Sequence, residues 1–287
     1  MKKLFYRKLE SLIKKIYNVN NNSKNKELKR TFRSAMYNTS DDKKFLFSNH
    51  GQINYILKNR EEITKRVFID GNFDFRLLKK GLKYLKKKRK VLINIGAHVG
   101  TTLVQAIKEK KFEHCIAFEP SIDNFRLLTA NININQIENQ VSLFNLAISN
   151  KIAKGYLRLF DPNNSGDFRV TNGEGRGGKK IQLNILDNFT SKINKDNAII
   201  LIDAQGHEPE IFLGGRKTLQ KKIPIIFELM PSIMNKDNPE KLYKSIKHYK
   251  NLTDLRKNKV IKMNKIDFLK IYELYKTNKS YTDIMVF

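Results

Sequence analysis

From Val91 onward, short apolar runs alternate with segments whose apolar residues return every three or four positions. The runs Val91 to Ile95, Cys115 to Phe118, Val141 to Leu146, Ala198 to Ile202 and Ile223 to Leu229 read as buried strands. Between them, Thr101 to Lys110, Ile122 to Asn133 and Pro209 to Lys221 carry the helical period. Such alternation builds βαβ units, so the pattern predicts an α/β fold with a mostly parallel sheet covered by helices on both faces. Two strand-like runs, Gly155 to Phe160 and Lys180 to Leu186, depart from it and flank Asp161 to Lys179, a loop rich in Gly, Asn and charge. Long irregular loops in compact domains are commonly functional, which makes this one a candidate lid or binding element. The chain ends on Tyr281 to Phe287, an apolar strand with no helix after it, expected to insert beside the last parallel strands.

Upstream of Val91 the texture differs. Phe45 to Leu85 is mostly helical in its spacing, with a turn at Asp70-Gly71-Asn72, and Asn18 to Lys26 has the polar, Asn-rich look of a linker. In the N-terminal segment Leu4, Phe5, Leu9, Leu12, Ile13 and Ile16 recur at helical spacing among lysines. That pattern suits a helix over residues 1–17 lying on an anionic membrane, and equally a helix capping the domain. The expected division is a basic helical extension over 1–64 and an α/β domain over 65–287.

Composition narrows the picture less than charge suggests. No run of 18 apolar residues occurs, and Met1 to Lys15 lacks an uninterrupted apolar stretch of signal-peptide length, so the cytoplasm is the expected compartment. Cys115 is the single cysteine, which excludes an internal disulfide and a Cys-based zinc site; its apolar setting reads as an inert core thiol. No spacing diagnostic of metal ligands is present. The formal charge is +28, from 56 Lys and Arg against 28 Asp and Glu. A nucleic-acid binder usually concentrates its basic residues, whereas lysine here runs through the whole chain; the densest cluster, Lys79 to Lys90, has eight basic residues in twelve.

Three constellations carry candidate chemistry. In Val91 to Gly100, V-L-I-N-I-G-A-H-V-G, a strand breaks at Gly96 and a helix starts past Gly100. A glycine turn at a strand's carboxyl end admits a ligand to the backbone, and the spacing is neither the dinucleotide G-x-G-x-x-G nor a P-loop. Glu119 ends the second strand 23 positions after Gly96, where a carboxylate can accept both hydroxyls of an adenosine ribose; Pro120, Asn124 and a helix follow. Third comes Leu201 to Gly215, with Asp203 closing a strand beside the crevice and His207 and Glu208 opening a helix. Asp203 there is either a reacting group or a stabilising helix-start carboxylate, and His207 either its partner or a solvated first-turn residue. Glu228 is a charge inside an apolar run, costly unless paired or functional. Asp187 is expected to cap the short helix after it.

These segments together resemble the FkbM-type methyltransferase family. The correspondence lies in Asn94 to Gly100, Phe118 to Pro120, Leu186-Asp187, Ile202 to Gly214 and Phe227-Glu228, with Asn94 where the family has Asp and His98 where it has Asn. The resemblance covers about Arg66 to Phe287. It implies a Rossmann-like class I methyltransferase fold with a seven-stranded sheet and a C-terminal antiparallel strand, S-adenosylmethionine as cofactor, and O-methylation of a small molecule, sugar or glycan. The expected cofactor residues are Asn94, Gly96, Ala97, His98, Gly100, Glu119, Pro120, Asn124 and Ala147. Asp203 with His207 is the expected base, with Glu208 and Glu228 shaping the site. The rival reading is an RNA methyltransferase, or a nucleic-acid-binding protein, using the basic surface; a specific nucleic-acid partner is not expected.

Overall fold

The computed structural model describes residues 23–40 (23–26 in backbone only), 44–71, 75–161, 164–171, 173, 177–234 and 239–287. The amphipathic segment 1–17 lies outside the described residues. Helix α1 (Ser23–Asn38) already occupies the end of the stretch that reads as a linker. Next comes an antiparallel hairpin, β1 (Phe45–His50) and β2 (Ile53–Lys58), where the spacing predicts helix. The hairpin forms because Leu46 and Ser48 on one strand and Tyr55 and Leu57 on the other alternate inward at the strand period about a turn at Gly51. Short apolar runs fit both periods, and burial decides between them: Tyr55 donates its hydroxyl hydrogen to the carbonyl of Thr101, 3.0 Å away.

The helical reading holds further on, in α2 (Glu62–Asp70) and α3 (Phe75–Leu82). Backbone groups of β2 are satisfied by side chains of a later helix. Asn131 bonds both the N–H and the carbonyl of Ile56, and Asn135 those of Asn54. The two amides thus stand in for a neighbouring strand, so no polar backbone group is left bare there.

The central sheet contains β3 (Val91–Ile95), β4 (His114–Phe118), β5 (Val141–Phe144), β10 (Ala198–Ile202), β11 (Ile225–Leu229), β12 (Asn251–Asp254), β13 (Lys259–Lys262) and β14 (Thr282–Val286). Its order is β13-β12-β14-β11-β10-β3-β4-β5. The five strands from β5 to β11 are parallel; β14 inserts between β11 and β12, beside the parallel strands as the terminal apolar run predicts, and runs antiparallel to both, as the resemblance implies. The sheet has eight strands instead of the expected seven. The additional one, β13, pairs only with β12 and carries lysine at both ends; this edge strand lacks the apolar run by which the buried strands declare themselves.

Both faces are covered. One core joins Leu92, Leu201, Ile226 and Met285 to α3, the hairpin, α4 (Thr101–Lys108) and α5 (Ile122–Ile134). The other joins Ile93, Ile200, Phe227 and Ile284 to α7 (Glu208–Gly214), α8 (Arg216–Gln220), α9 (Pro239–Ile246) and α10 (Lys265–Thr277). Neighbouring residues of one strand, such as Leu92 and Ile93, enter opposite cores, which is why these strands are apolar throughout. Cys115 is a buried free thiol on β4, its ionisation pushed up by burial.

The helix expected over Pro209 to Lys221 is broken at Gly214-Gly215. A Cβ at Gly214 would stand 1.9 Å from the carbonyl oxygen of Ser149, so only glycine lets the two backbones meet. Asp187 does not cap its own short helix, α6 (Asp187–Thr190). Its carboxylate instead accepts from the N–H groups of Lys217 and Thr218 at 3.1 and 2.8 Å, capping α8. Around Asp161 to Lys179, a second sheet forms in the order β6-β9-β7-β8 from β6 (Ala147–Ile148), β7 (Ala153–Leu159), β8 (Phe168–Thr171) and β9 (Lys179–Asn184).

Candidate functional site

A cavity of about 350 Å³ opens at the carboxyl ends of β3, β4, β10 and β11, where open α/β sheets place their ligands. Its floor is the turn after β3. Gly96 has φ +81°, and its N–H and that of Ala97 both donate to the carbonyl of Phe118 at 3.0 Å. A Cβ at Gly96 would fall 1.8 Å from the carbonyl oxygen of Asp203, so glycine here is a condition for the β3 and β10 turns to meet. Asn94, buried on β3, also faces the cavity.

Glu119 forms the adjoining wall and is only 4% exposed. Its carboxylate accepts the N–H groups of His98 and Ser121 at 2.8 and 2.9 Å. Burial still dominates those donors and pushes its pKa up to about 7. His98, at φ +50°, places its Nε2 2.8 Å from Ser165 Oγ, and burial lowers the ring's pKa to about 4. Asn124 donates to the carbonyl of Ser165 at 2.9 Å, which ties the start of α5 to the segment before β8.

The opposite end of the cavity is polar and acidic. Asp203 follows β10, and burial raises its pKa to about 6, with the charge of Asp283 adding to the rise and a bond from Gln205 opposing it. Gln205 Nε2 spans Asp203 Oδ1 at 2.7 Å and Glu228 Oε2 at 3.3 Å. Glu228 and Asp283 are direct partners across β11 and β14. Three carboxylates thus stand side by side on three adjacent strands. Arg256 meets this row from the β12–β13 turn: its Nε donates to Asp283 at 2.9 Å, and its guanidinium lies over the Tyr281 ring at 4.1 Å. Among the described residues, no three acidic, His or Cys side chains converge closely enough to hold a metal ion.

Of the expected cofactor residues, Asn94, Gly96, Ala97, His98, Glu119, Pro120, Asn124 and Ala147 line the cavity. Gly100 does not line it; it starts α4 and packs toward Leu128. Of the expected catalytic residues, Asp203, His207 and Glu228 line it and Glu208 does not. Glu208 is fully buried; it accepts the N–H of Ala204 at 2.9 Å and so braces the turn that carries Asp203. Burial raises its pKa to about 7. His207 does not pair with Asp203; its Nε2 sits 3.0 Å from Ser149 Oγ, and burial lowers its pKa to about 4.

Sequence reasoning missed Glu62, Ile63 and Arg66 on α2, Ser165, Arg256, Tyr281 and Asp283, all of which line the cavity. The argument that singles out Glu228, a charge inside an apolar run, applies equally to Asp283 in the terminal strand. Nothing local marks the α2 residues.

Comparison with known proteins places residues 94–250, more than half of the chain, in the Methyltransferase FkbM domain family. None of the curated proteins matches the chain. Among solved structures, methyltransferase FkbM from Methylobacillus flagellatus is 13% identical with a TM-score of 0.44, over 70% of this chain and 44% of its own. TYW2 of M. jannaschii in complex with AdoMet is 12% identical at TM-score 0.42, over 85% of each chain. The m1A22 tRNA methyltransferase TrmK of B. subtilis is 14% identical at 0.37, over 74% and 64%. This chain therefore spans less than half the length of the Methylobacillus protein, and assignment rests on the family match and not on these overlaps.

Proposed function

The chain belongs to the FkbM methyltransferase family, and on that premise we propose that it transfers the methyl group of S-adenosylmethionine to a hydroxyl of a sugar, glycan precursor or other small molecule. The cavity suits that cofactor: a bare backbone turn at Gly96, a buried carboxylate at Glu119 for ribose hydroxyls, and apolar walls at Phe118, Leu146 and Ala147. When bound, the cofactor supplies an electrophilic methyl carbon on sulfonium. The acceptor oxygen would take that methyl as the C–S bond breaks to leave the thioether, and the acceptor's proton would pass to a residue of this chain.

The chain's own residues position the acceptor and take its proton. Asp203 is the base in this reading: it sits at the cavity's acidic end, and a pKa near 6 leaves it ionised at neutral pH while close enough to that pH for effective proton acceptance. Gln205 orients its carboxylate, Glu208 braces the turn beneath it, and Glu228 accepts hydrogen bonds from neighbouring hydroxyls. His207, held by Ser149, contributes shape.

The observation that carries the choice of acceptor is the row Asp203, Glu228 and Asp283 at one end of the cavity, with Arg256 bonded to Asp283 at its edge. A phosphate held about 4 Å from one such carboxylate is opposed by roughly 4 kcal/mol at a protein-surface dielectric. Neutral hydroxyls gain hydrogen bonds from the same groups. The end of the cavity proposed to take the acceptor is thus acidic although the chain as a whole carries +28. The test offers the protein labelled cofactor with either a cell-envelope glycan extract or total RNA at physiological salt. Label in the glycan fraction is expected; label in RNA and none in glycan overturns the assignment.

A further inference from the structure

A chain of polar contacts crosses the cavity wall from a part of the molecule that precedes the family-matched residues. Lys58, at the end of β2, donates to Glu61 Oε1 at 2.7 Å. Glu61 Oε2 lies 2.5 Å from Ser165 Oγ, and that oxygen lies 2.8 Å from His98 Nε2. His98 in turn gives its backbone N–H to Glu119. Glu61, Ser165 and Glu119 are each less than 5% exposed, so water does not compete for these bonds.

The direction of each bond follows from proton counting. Glu61, ion-paired with Lys58, accepts, so the single hydroxyl hydrogen of Ser165 goes to it. Ser165 Oγ then accepts from His98, whose hydrogen must sit on Nε2. His98 Nδ1 is left as a lone pair, buried and without a partner among the described residues. One side chain 104 positions away from Ser165 therefore sets the tautomer of a ring in the cofactor wall and holds the backbone N–H that orients Glu119.

We propose that Glu61 and Ser165 are positioning residues for cofactor binding, acting through His98 on Glu119, and that the segment before residue 94 thereby completes the methyl-donor site. The proposal rests on the cofactor occupying the Gly96–Glu119 end of the cavity. The bonds also pin the Asn164–Phe168 turn against the cavity, since Asn124 holds the carbonyl of the same serine. The contacts reach the cofactor end and not the acidic end, so the effect belongs to donor affinity and not to the transfer step.

The test measures S-adenosylmethionine binding by calorimetry in the full chain for Ser165→Ala and Glu61→Gln. Each should raise Kd about 10-fold, the scale for losing one hydrogen bond to a charged group, while kcat at saturating cofactor stays within about twofold. Because both act in one chain, the double variant should bind no worse than the weaker single one. Glu61→Gln also carries a spectroscopic signature. Lys58 holds the amide oxygen, the amide NH2 faces Ser165, and the hydroxyl hydrogen turns to His98, moving the ring's own hydrogen to Nδ1. A nitrogen NMR spectrum of His98 should show Nε2–H in the parent protein and Nδ1–H in this variant. Ser165→Ala is the mild change that keeps the test sound should Glu61→Gln fold poorly. Parent-like Kd values in folded variants, or an Nδ1–H ring in the parent protein, overturn the proposal. A parent protein that binds no S-adenosylmethionine overturns the cofactor assignment beneath it as well.

Discussion

The Gly96–Glu119 end of the cleft, which we propose takes the cofactor, is built largely from one continuous stretch, Asn94 to Asn124, whereas the acidic end gathers Asp203, Glu228, Arg256, Tyr281 and Asp283 from four separate places in the chain. At the first end, backbone does much of the work: the Gly96 turn is bonded to Phe118, and Glu119 is held by two N–H groups. At the second, side chains face one another across strands, and burial raises the pKa values of Asp203 and Asp283, with the charge of Asp283 adding to the rise at Asp203. The contrast teaches that one end of a cleft can be built by a local stretch of chain while the other depends on which strands the sheet sets side by side. The two ends meet where Gly96 lies against the carbonyl of Asp203 and the N–H of Asp203 bonds the carbonyl of Ile95.

Substituting at that point breaks both ends at once. Gly96→Ala brings a Cβ against backbone that has no room for it, in a conformation disfavoured for alanine, and should destabilise the fold by about 3 kcal/mol or more, with cofactor binding lost. Thermal unfolding and calorimetry check it; a stable variant that still binds S-adenosylmethionine would mean the turns can part freely. Asp203→Asn should separate the ends cleanly. It keeps shape but removes basicity, so turnover should fall about 100-fold while cofactor Kd holds within about twofold. The parent rate should climb as pH rises through about 6, because the base works only when ionised, and that limb should vanish in the variant. Unchanged turnover with a lower melting temperature would reduce Asp203 to a structural carboxylate.

Glu119→Ala should act at the donor end alone, weakening cofactor binding by about 1–3 kcal/mol with acceptor KM unmoved. A parent-like dissociation constant would place the ribose elsewhere. The smallest effect is expected at the rim. Tyr281, 41% exposed beneath Arg256, gives the acceptor end an aromatic edge, and Tyr281→Ala should raise acceptor KM about fivefold through lost contact area, leaving cofactor Kd alone. A shift in cofactor affinity instead would dissolve the division between the two ends.

How much of this was legible follows the same division. The strand, glycine turn and helix from Val91 to Lys108 announce themselves because a buried strand is apolar throughout and glycine marks the place where backbone must turn under crowding. Glu119 was visible through its distance from Gly96. His207 does reach the cavity lining, but its ring turns to Ser149, because position in the chain says nothing about which way a ring faces. Asp187 shows the same limit, capping α8 from about thirty residues away instead of its own helix. The hairpin β1–β2 was hidden because an apolar run of six residues satisfies either period until something packs on it.

By itself, then, the sequence determined the alternation of buried strands and covering helices, the terminal apolar strand, and the glycine turn after β3, since burial on both faces and local backbone geometry write themselves into neighbouring residues. Tertiary structure alone decided that Asp283 stands beside Glu228, that Arg256 meets them over Tyr281, and that Glu61 reaches Ser165. Those contacts join residues far apart along the chain, and each depends on strand order and register, which hydrophobic pattern constrains only in part.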